Sequence, residues 1–266
     1  MIKDYAKTVV RVVSPPFIRN RPIGTWPGWL GRVHGVKVPA ALPHQGVPAP
    51  TGQANINILT EMVERTKSLK GAIADCGVYK AASTVGIALY MREHNIARQI
   101  YAFDSFEGFP QESIEKDLKL GGVENEDRHL GGFSATTYDD VLTKIRRFRI
   151  TNITLVSGYF NKSFPSFPSD VRFSFAHIDV NLYDSYRECL GFFYPRMEAG
   201  GIILFDEYND PPWPGCNKAV DEFLADKPEQ LEMICRDNYQ KWYFAKRASQ
   251  NIRKVGFDGP VNAIAS

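Results

Sequence analysis

Residues 173–181, FSFAHIDVN, and 201–208, GIILFDEY, each run from an apolar stretch directly into carboxylates: Asp179 in the first, Asp206 and Glu207 in the second. A strand that is apolar on both faces belongs inside a parallel sheet covered by helices. Charge at its carboxyl end marks the edge where open α/β sheets bind ligands. Between the two stretches, residues 184–196 have helical spacing, so the pair reads as one strand–helix–strand unit with both acidic ends on one sheet edge. Asp179, Asp206 and Glu207 together read as a site for a hard cation, which takes oxygen ligands.

Outward from this unit the same alternation continues. Residues 71–75, 100–104 and 153–156 are short apolar strands, and helical patterns occupy 84–92, 139–148 and 217–226. Ile56, Leu59 and Val63 recur at helical spacing just before the first strand. Repeated βαβ units predict a mainly parallel, doubly wound sheet. The end of the chain departs from this, because residues 231–235 and 240–245 are separated only by Arg236, Asp237, Asn238 and Tyr239, too few for a parallel crossover. The last strand is therefore predicted antiparallel. A parallel doubly wound sheet closed by one antiparallel strand is the shape associated with S-adenosylmethionine-dependent methyltransferases, although fold alone does not assign function.

Bulk properties narrow the partners. With 266 residues, 44% of them hydrophobic, the chain can bury one substantial core. A net charge of +2 demands neither nucleic acid nor an anionic membrane. No segment approaches the roughly 18 consecutive apolar residues of a membrane span, and no apolar leader opens the chain. Cys76, Cys189, Cys216 and Cys235 form no CxxC pair and sit mostly in apolar contexts, which predicts free thiols and a cytoplasmic protein. Eight prolines within residues 14–54 exclude a long helix or central strand there. Residues 1–54 are accordingly expected to form an arm, residues 55–247 the packed domain and residues 248–266 a tail. The arm is basic, with Lys3, Lys7, Arg11, Arg19, Arg21, Arg32 and Lys37 against Asp4. Its Phe17, Ile18, Trp26, Trp29 and Leu30 need burial, and a second subunit would supply it, which predicts a homo-oligomer.

The loop after the first strand, Asp75-Cys76-Gly77-Val78-Tyr79-Lys80-Ala81-Ala82-Ser83, permits a tight turn at Gly77 and turns helix N-terminal amides toward a ligand. It lacks the G-x-G-x-x-G that lets backbone approach a pyrophosphate, and Asp104 follows Asp75 at 29 positions rather than about 20. This disfavours a dehydrogenase and favours a cofactor without pyrophosphate. S-adenosylmethionine matches: its amino-acid end suits the first loop, with Asp75, Gly77, Tyr79 and Ser83. Its ribose diol suits Asp104 with the following Ser105 and Phe106. Its adenine suits the ring surface at Gly158, Tyr159 and Phe160.

Residues 75–79 (DCGVY), 104–110 (DSFEGFP), 178–185 (IDVNLYDS), Tyr194-Pro195, Gly200-Gly201 and 205–208 (FDEY) resemble the macrocin O-methyltransferase family, over roughly residues 56–247. The resemblance implies a class I methyltransferase fold, methylation of sugar hydroxyls on macrolide and related antibiotics, and magnesium held at the positions of Asp179, Asp206 and Glu207. Two motifs depart from the family's pattern: Asp179-Val180-Asn181 replaces a common Asp-Gly-Asp, and Glu207 replaces a second Asp.

For the chemistry, a sulfonium methyl is already electrophilic, so alignment with an acceptor oxygen is the larger task and a divalent ion would make a coordinated hydroxyl more acidic. Asp179 and His129 are candidate bases, whereas His177 is expected to serve a structural role inside the sheet. The 105–137 segment exceeds an ordinary βα loop and carries two glycine pairs, as a lid would, or it is a surface insertion with a small helix. Trp213, in Pro211-Pro212-Trp213-Pro214, suits a sugar-stacking wall or loop packing equally. Three functions follow in order: O-methylation of a hydroxylated, sugar-like small molecule, O-methylation of a catechol or phenol, and cofactor binding without turnover.

Overall fold

The computed structural model describes residues 49–122 and 133–248. Its elements are α1 (Ala49–Arg65), β1 (Ala72–Cys76), α2 (Ala82–Glu93), β2 (Ile100–Asp104), α3 (Gln111–Lys119), α4 (Tyr138–Arg147), β3 (Ile153–Ser157), α5 (Phe160–Ser163), β4 (Phe173–Ile178), α6 (Tyr183–Phe193), β5 (Met197–Phe205), α7 (Pro214–Leu224), β6 (Glu232–Arg236) and β7 (Tyr239–Ala245). The strands form one sheet in the order β3-β2-β1-β4-β5-β7-β6. The first five are parallel, while β7 runs antiparallel to both β5 and β6. This is the expected class I methyltransferase sheet.

Burial explains which strand sits where. All six residues of β4 are buried, as a central strand covered on both faces must be, while β3 at the edge is half exposed. Alternate residues feed two different cores. Ile73, Phe175, Ile202 and Leu204 join the aliphatic layer of α1, α2 and α4. Ala74, Ala176, Ile178 and Phe205 join an aromatic layer against α6 and α7, where Phe103, Phe164, Phe192 and Phe193 pack ring against ring.

Two features of the sequence reading change. The β6–β7 connection is tighter than expected: only Asp237 and Asn238 lie between the strands, at φ 50° and 64°. Asp and Asn tolerate that left-handed pair, which gives the hairpin its matching twist. At the other end, α1 starts at Ala49, so a helix begins inside the stretch expected to hold no long one, and the boundary expected after residue 54 falls within it. Pro50 is tolerated because it lies in the first turn, where a missing N–H breaks no hydrogen bond. The N-terminal arm before Ala49, the tail beyond Ala248 and His129 lie outside the described residues.

Candidate active site

The carboxyl ends of β1, β2, β3 and β4 surround a cavity of ≈ 600 Å³, lined at those ends by Gly77, Asp104, Gly158 and Asp179. That volume is in the range of small-molecule sites. Gly77 is required by two constraints: its φ is +83°, and a Cβ there would meet the carbonyl oxygen of Asp179 at 1.7 Å. The first loop is thus pressed against the end of β4, and the Asp179 N–H donates to the Cys76 carbonyl at 3.0 Å.

Asp104 is held by backbone. The N–H of Tyr79 donates to its Oδ2 at 2.8 Å and that of Phe106 to its Oδ1 at 2.7 Å. Burial raises the Asp104 pKa and these two N–H groups oppose the rise. Its carbonyl accepts from Gly158 N–H at 2.9 Å, tying the ends of β2 and β3 together. Gly77, Tyr79, Ser83, Asp104, Ser105, Gly158, Tyr159 and Phe160 all line the cavity. Asp75 and Phe106 do not. Asp75 is fully buried behind the loop, where its Oδ2 accepts from Ser83 at 2.8 Å and Thr84 at 2.5 Å, so it anchors the start of α2. Phe106 contributes through its N–H, its ring lying edge-on to Tyr138 of α4 at 5.5 Å.

The acidic cluster is assembled differently from its sequence reading. One ligand atom each from His177, Asp179 and Asp206 lie within 4.8 Å of one another. His177 is fully buried and bridges two carboxylates, Nδ1 lying 2.8 Å from Asp75 and Nε2 3.3 Å from Asp206. This is the structural role expected for it. Asp206 also takes the ammonium of Lys241, a fully buried residue of β7. Burial lowers the Lys241 pKa to about 7, against the opposing pull of Asp179. Glu207 is outside that trio but lies against Asp179. The Tyr186 hydroxyl donates to its Oε2, while burial and the neighbouring Asp179 charge push its carboxyl well above the ordinary range. Of the three acids proposed from sequence, only Asp179 lines the cavity.

These donors suit a hard divalent ion in kind. Asp179, Asp206 and Glu207 gather three carboxyl groups beside the Lys241 ammonium, and burial first, then the neighbouring Asp179 charge, raises the Glu207 pKa. A divalent cation relieves that crowding, and magnesium is bound through one or two carboxylates with its other positions left to water or substrate.

Beyond β4, Asn181 lines the cavity in the left-handed conformation, φ 60°, that Asn tolerates. The outer wall carries Asp184, Ser185 and Glu188 of α6, and Phe109 and Phe133 from the 105–137 segment. That segment contains the expected small helix, α3. Its stem is docked, since the fully buried Asp117 carboxylate accepts from the Tyr183 N–H at 3.4 Å, and a Cβ on Gly215 would meet it at 1.8 Å. Trp213 is 3% exposed and packs with Ile114 and Leu182, which overturns the sugar-stacking wall in favour of loop packing.

Among the residues that escaped the sequence reading are Asn55 and Ile56 on α1, which line the cavity, and Tyr186 and Lys241 behind the acids. Lys241 had a legible signal. It shares a strand face with Tyr239 and Tyr243, and a lysine on the apolar face of a strand needs a buried partner. Asn55 had none, because a polar residue beside Ile56 at the start of a helical pattern reads the same whether it faces solvent or a cavity.

Among the described residues no helix is long and apolar enough to cross a membrane, and all four cysteines are unpaired. In sequence, the chain is 25% identical over 175 residues to demethyldecarbamoylnovobiocin O-methyltransferase of Streptomyces niveus, covering 64% of this chain and 65% of that protein. It is 24% identical over 146 residues to 8-demethyl-8-(2,3-dimethoxy-alpha-L-rhamnosyl)-tetracenomycin-C 4'-O-methyltransferase of Streptomyces olivaceus, covering 52% and 53%. The chain thus spans between half and two thirds of these curated relatives. In fold, it is similar to the O-methyltransferase NovP, with TM-score 0.62 and 22% identity over 93% of this chain and 96% of that one. It is also similar to the calicheamicin methyltransferase CalS11, with TM-score 0.61 and 20% identity over 92% and 91%. A profile of the macrocin O-methyltransferase family matches residues 36–246, reaching into the segment expected to lie outside any match, and the chain belongs to that family.

Proposed function

We propose that this chain is a magnesium- and S-adenosylmethionine-dependent O-methyltransferase acting on a hydroxyl of a small molecule, in particular a sugar on a glycosylated natural product. The observation that carries the reading is the meeting, in one cavity, of a backbone-held acid at the end of β2 and a second acid at the end of β4, Asp104 and Asp179. Asp104 suits a ribose diol, since each of its oxygens keeps a lone pair beyond the backbone bond it accepts. Tyr159 and Phe160, on the same wall, offer ring faces to adenine. Family relatives that act on rhamnosyl and novobiocin-type compounds support the acceptor class.

When bound, the donor supplies an electrophilic methyl and the ion supplies acidity to an acceptor hydroxyl. Asp179 and Asp206 would hold the ion, with Glu207 adjoining through Asp179. Lys241 and His177 fix the Asp206 carboxylate, and Tyr186 fixes Glu207. Asp179, facing the cavity, takes the hydroxyl proton; His129 is the other candidate for that role. The 105–137 segment acts as a lid, with Phe109 and Phe133 excluding water. The protein is read as a cytoplasmic homo-oligomer, with an N-terminal arm ahead of a catalytic domain that includes α1, and residues 248–266 as tail. A monomeric mass in solution scattering would refute the oligomer.

The test is methyl transfer from S-adenosylmethionine to a rhamnosyl glycoside and to a catechol, read by mass spectrometry. Methylation of the glycoside, abolished by EDTA and by Asp206→Ala and recovered by magnesium after EDTA alone, is expected. Methylation confined to the catechol would replace the sugar with an aromatic acceptor. Activity surviving both EDTA and Asp206→Ala would refute the metal reading.

A further inference from the structure

The antiparallel course of β7 brings its first residues to the same sheet edge as the carboxyl ends of the parallel strands. Leu204 of β5 pairs with Tyr243 of β7, and at a period of two Asp206 and Tyr239 fall on the same face as that pair. Lys241 joins them: its ammonium meets the Asp206 carboxylate and lies 5.0 Å from the centre of the Tyr239 ring. Tyr239 thus flanks the acids on the side of β5 and β7, whereas the cavity lies toward the ends of β1, β2 and β3.

The acids open on that second side as well. Asp206 keeps 8% of its side chain exposed although it does not line the cavity, and Tyr239 is half-buried. Asp179 belongs to both sides. It lines the cavity, and its charge, after burial and together with those of Glu207 and Asp210, pushes the Tyr239 phenol above its ordinary range. Tyr186 and Tyr208 donate their hydroxyls to Glu207 and Asp221. The Tyr239 hydroxyl has no such partner among the described residues, and its oxygen is not sealed from solvent. A half-buried hydroxyl left unpaired beside charged groups keeps both a donor and an acceptor for a ligand.

Methyl transfer sets the direction from which that ligand comes. The acceptor oxygen bonds to the methyl carbon as the carbon–sulfur electron pair leaves with the sulfur, and the hydroxyl proton goes to Asp179, so the acceptor stands opposite the sulfur. With the donor in the cavity, the opposite side is the one bordered by Asp206 and Tyr239. We propose that Tyr239 is an acceptor-binding residue, its phenol hydrogen-bonding a hydroxyl of the acceptor next to the one that is methylated. This rests on the O-methyltransferase reading above and gives the acceptor a place of its own, at the start of β7.

The experiment compares wild type with Tyr239→Phe, using the full chain loaded with magnesium and S-adenosylhomocysteine and, as probes, methyl α-L-rhamnoside and catechol. Because the hydroxyl has no partner within the protein, Tyr239→Phe should keep the wild-type melting temperature and bind S-adenosylhomocysteine within about twofold of wild type. It should weaken the probe that wild type takes by about tenfold in calorimetry and raise the KM for that probe by the same factor in the methylation assay. Unchanged probe binding, or equal weakening of probe and S-adenosylhomocysteine, overturns the proposal. So does a clear loss of stability, which would show the hydroxyl to be bonded inside the protein. Wild type that binds S-adenosylhomocysteine but neither probe removes the acceptor reading and this proposal with it, a result distinct from a probe that binds without regard to Tyr239.

Discussion

The Asp104 side of the cavity and the Asp206 side are held by different kinds of contact. Asp104 is fixed by main-chain N–H groups of Tyr79 and Phe106, within 25 residues of it on one side and two on the other. Asp206 is fixed by side chains, His177 lying 29 residues away and Lys241 35. Glu207 follows the second pattern, with Tyr186 at 21. Backbone contacts tolerate changes of side chain but require a specific loop path. Side-chain contacts between buried charges tolerate no loss of a partner. Substitution should therefore harm the Asp206 side through stability and the Asp104 side through ligand binding.

The largest expected effect tests that contrast directly. Lys241→Met removes the ammonium from a buried carboxylate and should destabilise the fold by about 3–5 kcal/mol, read by denaturant unfolding. Adding Asp206→Asn to it should recover part of the loss, because the uncompensated charge goes too. If Lys241→Met is as stable as wild type, the side-chain account of this half is wrong. Gly77→Ala comes next, at about 2–4 kcal/mol, since the methyl would overlap the Asp179 carbonyl and the residue would hold a positive φ. It is the one loop position where the Asp104 side should behave like a core.

Smaller effects sharpen the division. Tyr186→Phe deletes the hydroxyl that donates to Glu207 and lies 3.0 Å from the Ile178 carbonyl, and should cost about 1–3 kcal/mol with the fold intact. A cost under about 0.5 kcal/mol would mean that Glu207 has no need of it. Asp104→Asn sets an NH2 against one of the two backbone N–H donors, so it should cost about 1–3 kcal/mol of stability, less than Lys241→Met, and weaken S-adenosylhomocysteine about tenfold. A loss of stability as large as that of Lys241→Met would instead make Asp104 a structural anchor and erase the contrast.

How much could be read in advance follows the same line. The Asp104 side was legible because its determinants are local: a strand ending in an acid, one glycine, a short loop. Eight of the ten residues expected to meet the cofactor line the cavity, and the two exceptions are informative. Asp75 ends a strand as Asp104 does, but its side chain is turned inward to Ser83, Thr84 and His177, and strand-end position alone does not tell the two apart. Phe106 serves through its amide, which sequence patterns do not report. On the other side, residue type identified the acids and only Asp179 reached the cavity. Trp213, stiff and aromatic in sequence, is consumed by packing against α3. A ring in a proline-rich loop has the same pattern whether it faces a ligand or a helix.

The sequence by itself determined the sheet: apolar runs too short for anything but strands, helical spacing between them, and a final turn too tight for a crossover. It also determined that acids would collect at one edge, because each strand carries its own. Only the tertiary structure decided which acids face the cavity and which are neutralised behind it. That outcome depends on Lys241, His177 and Tyr186 arriving from separate elements, and the energy of a buried charge is set by what surrounds it, not by its place in the chain. It decided as well that α1 reaches the site, since Gly52, Asn55 and Ile56 line the cavity only once α1 has packed on α2.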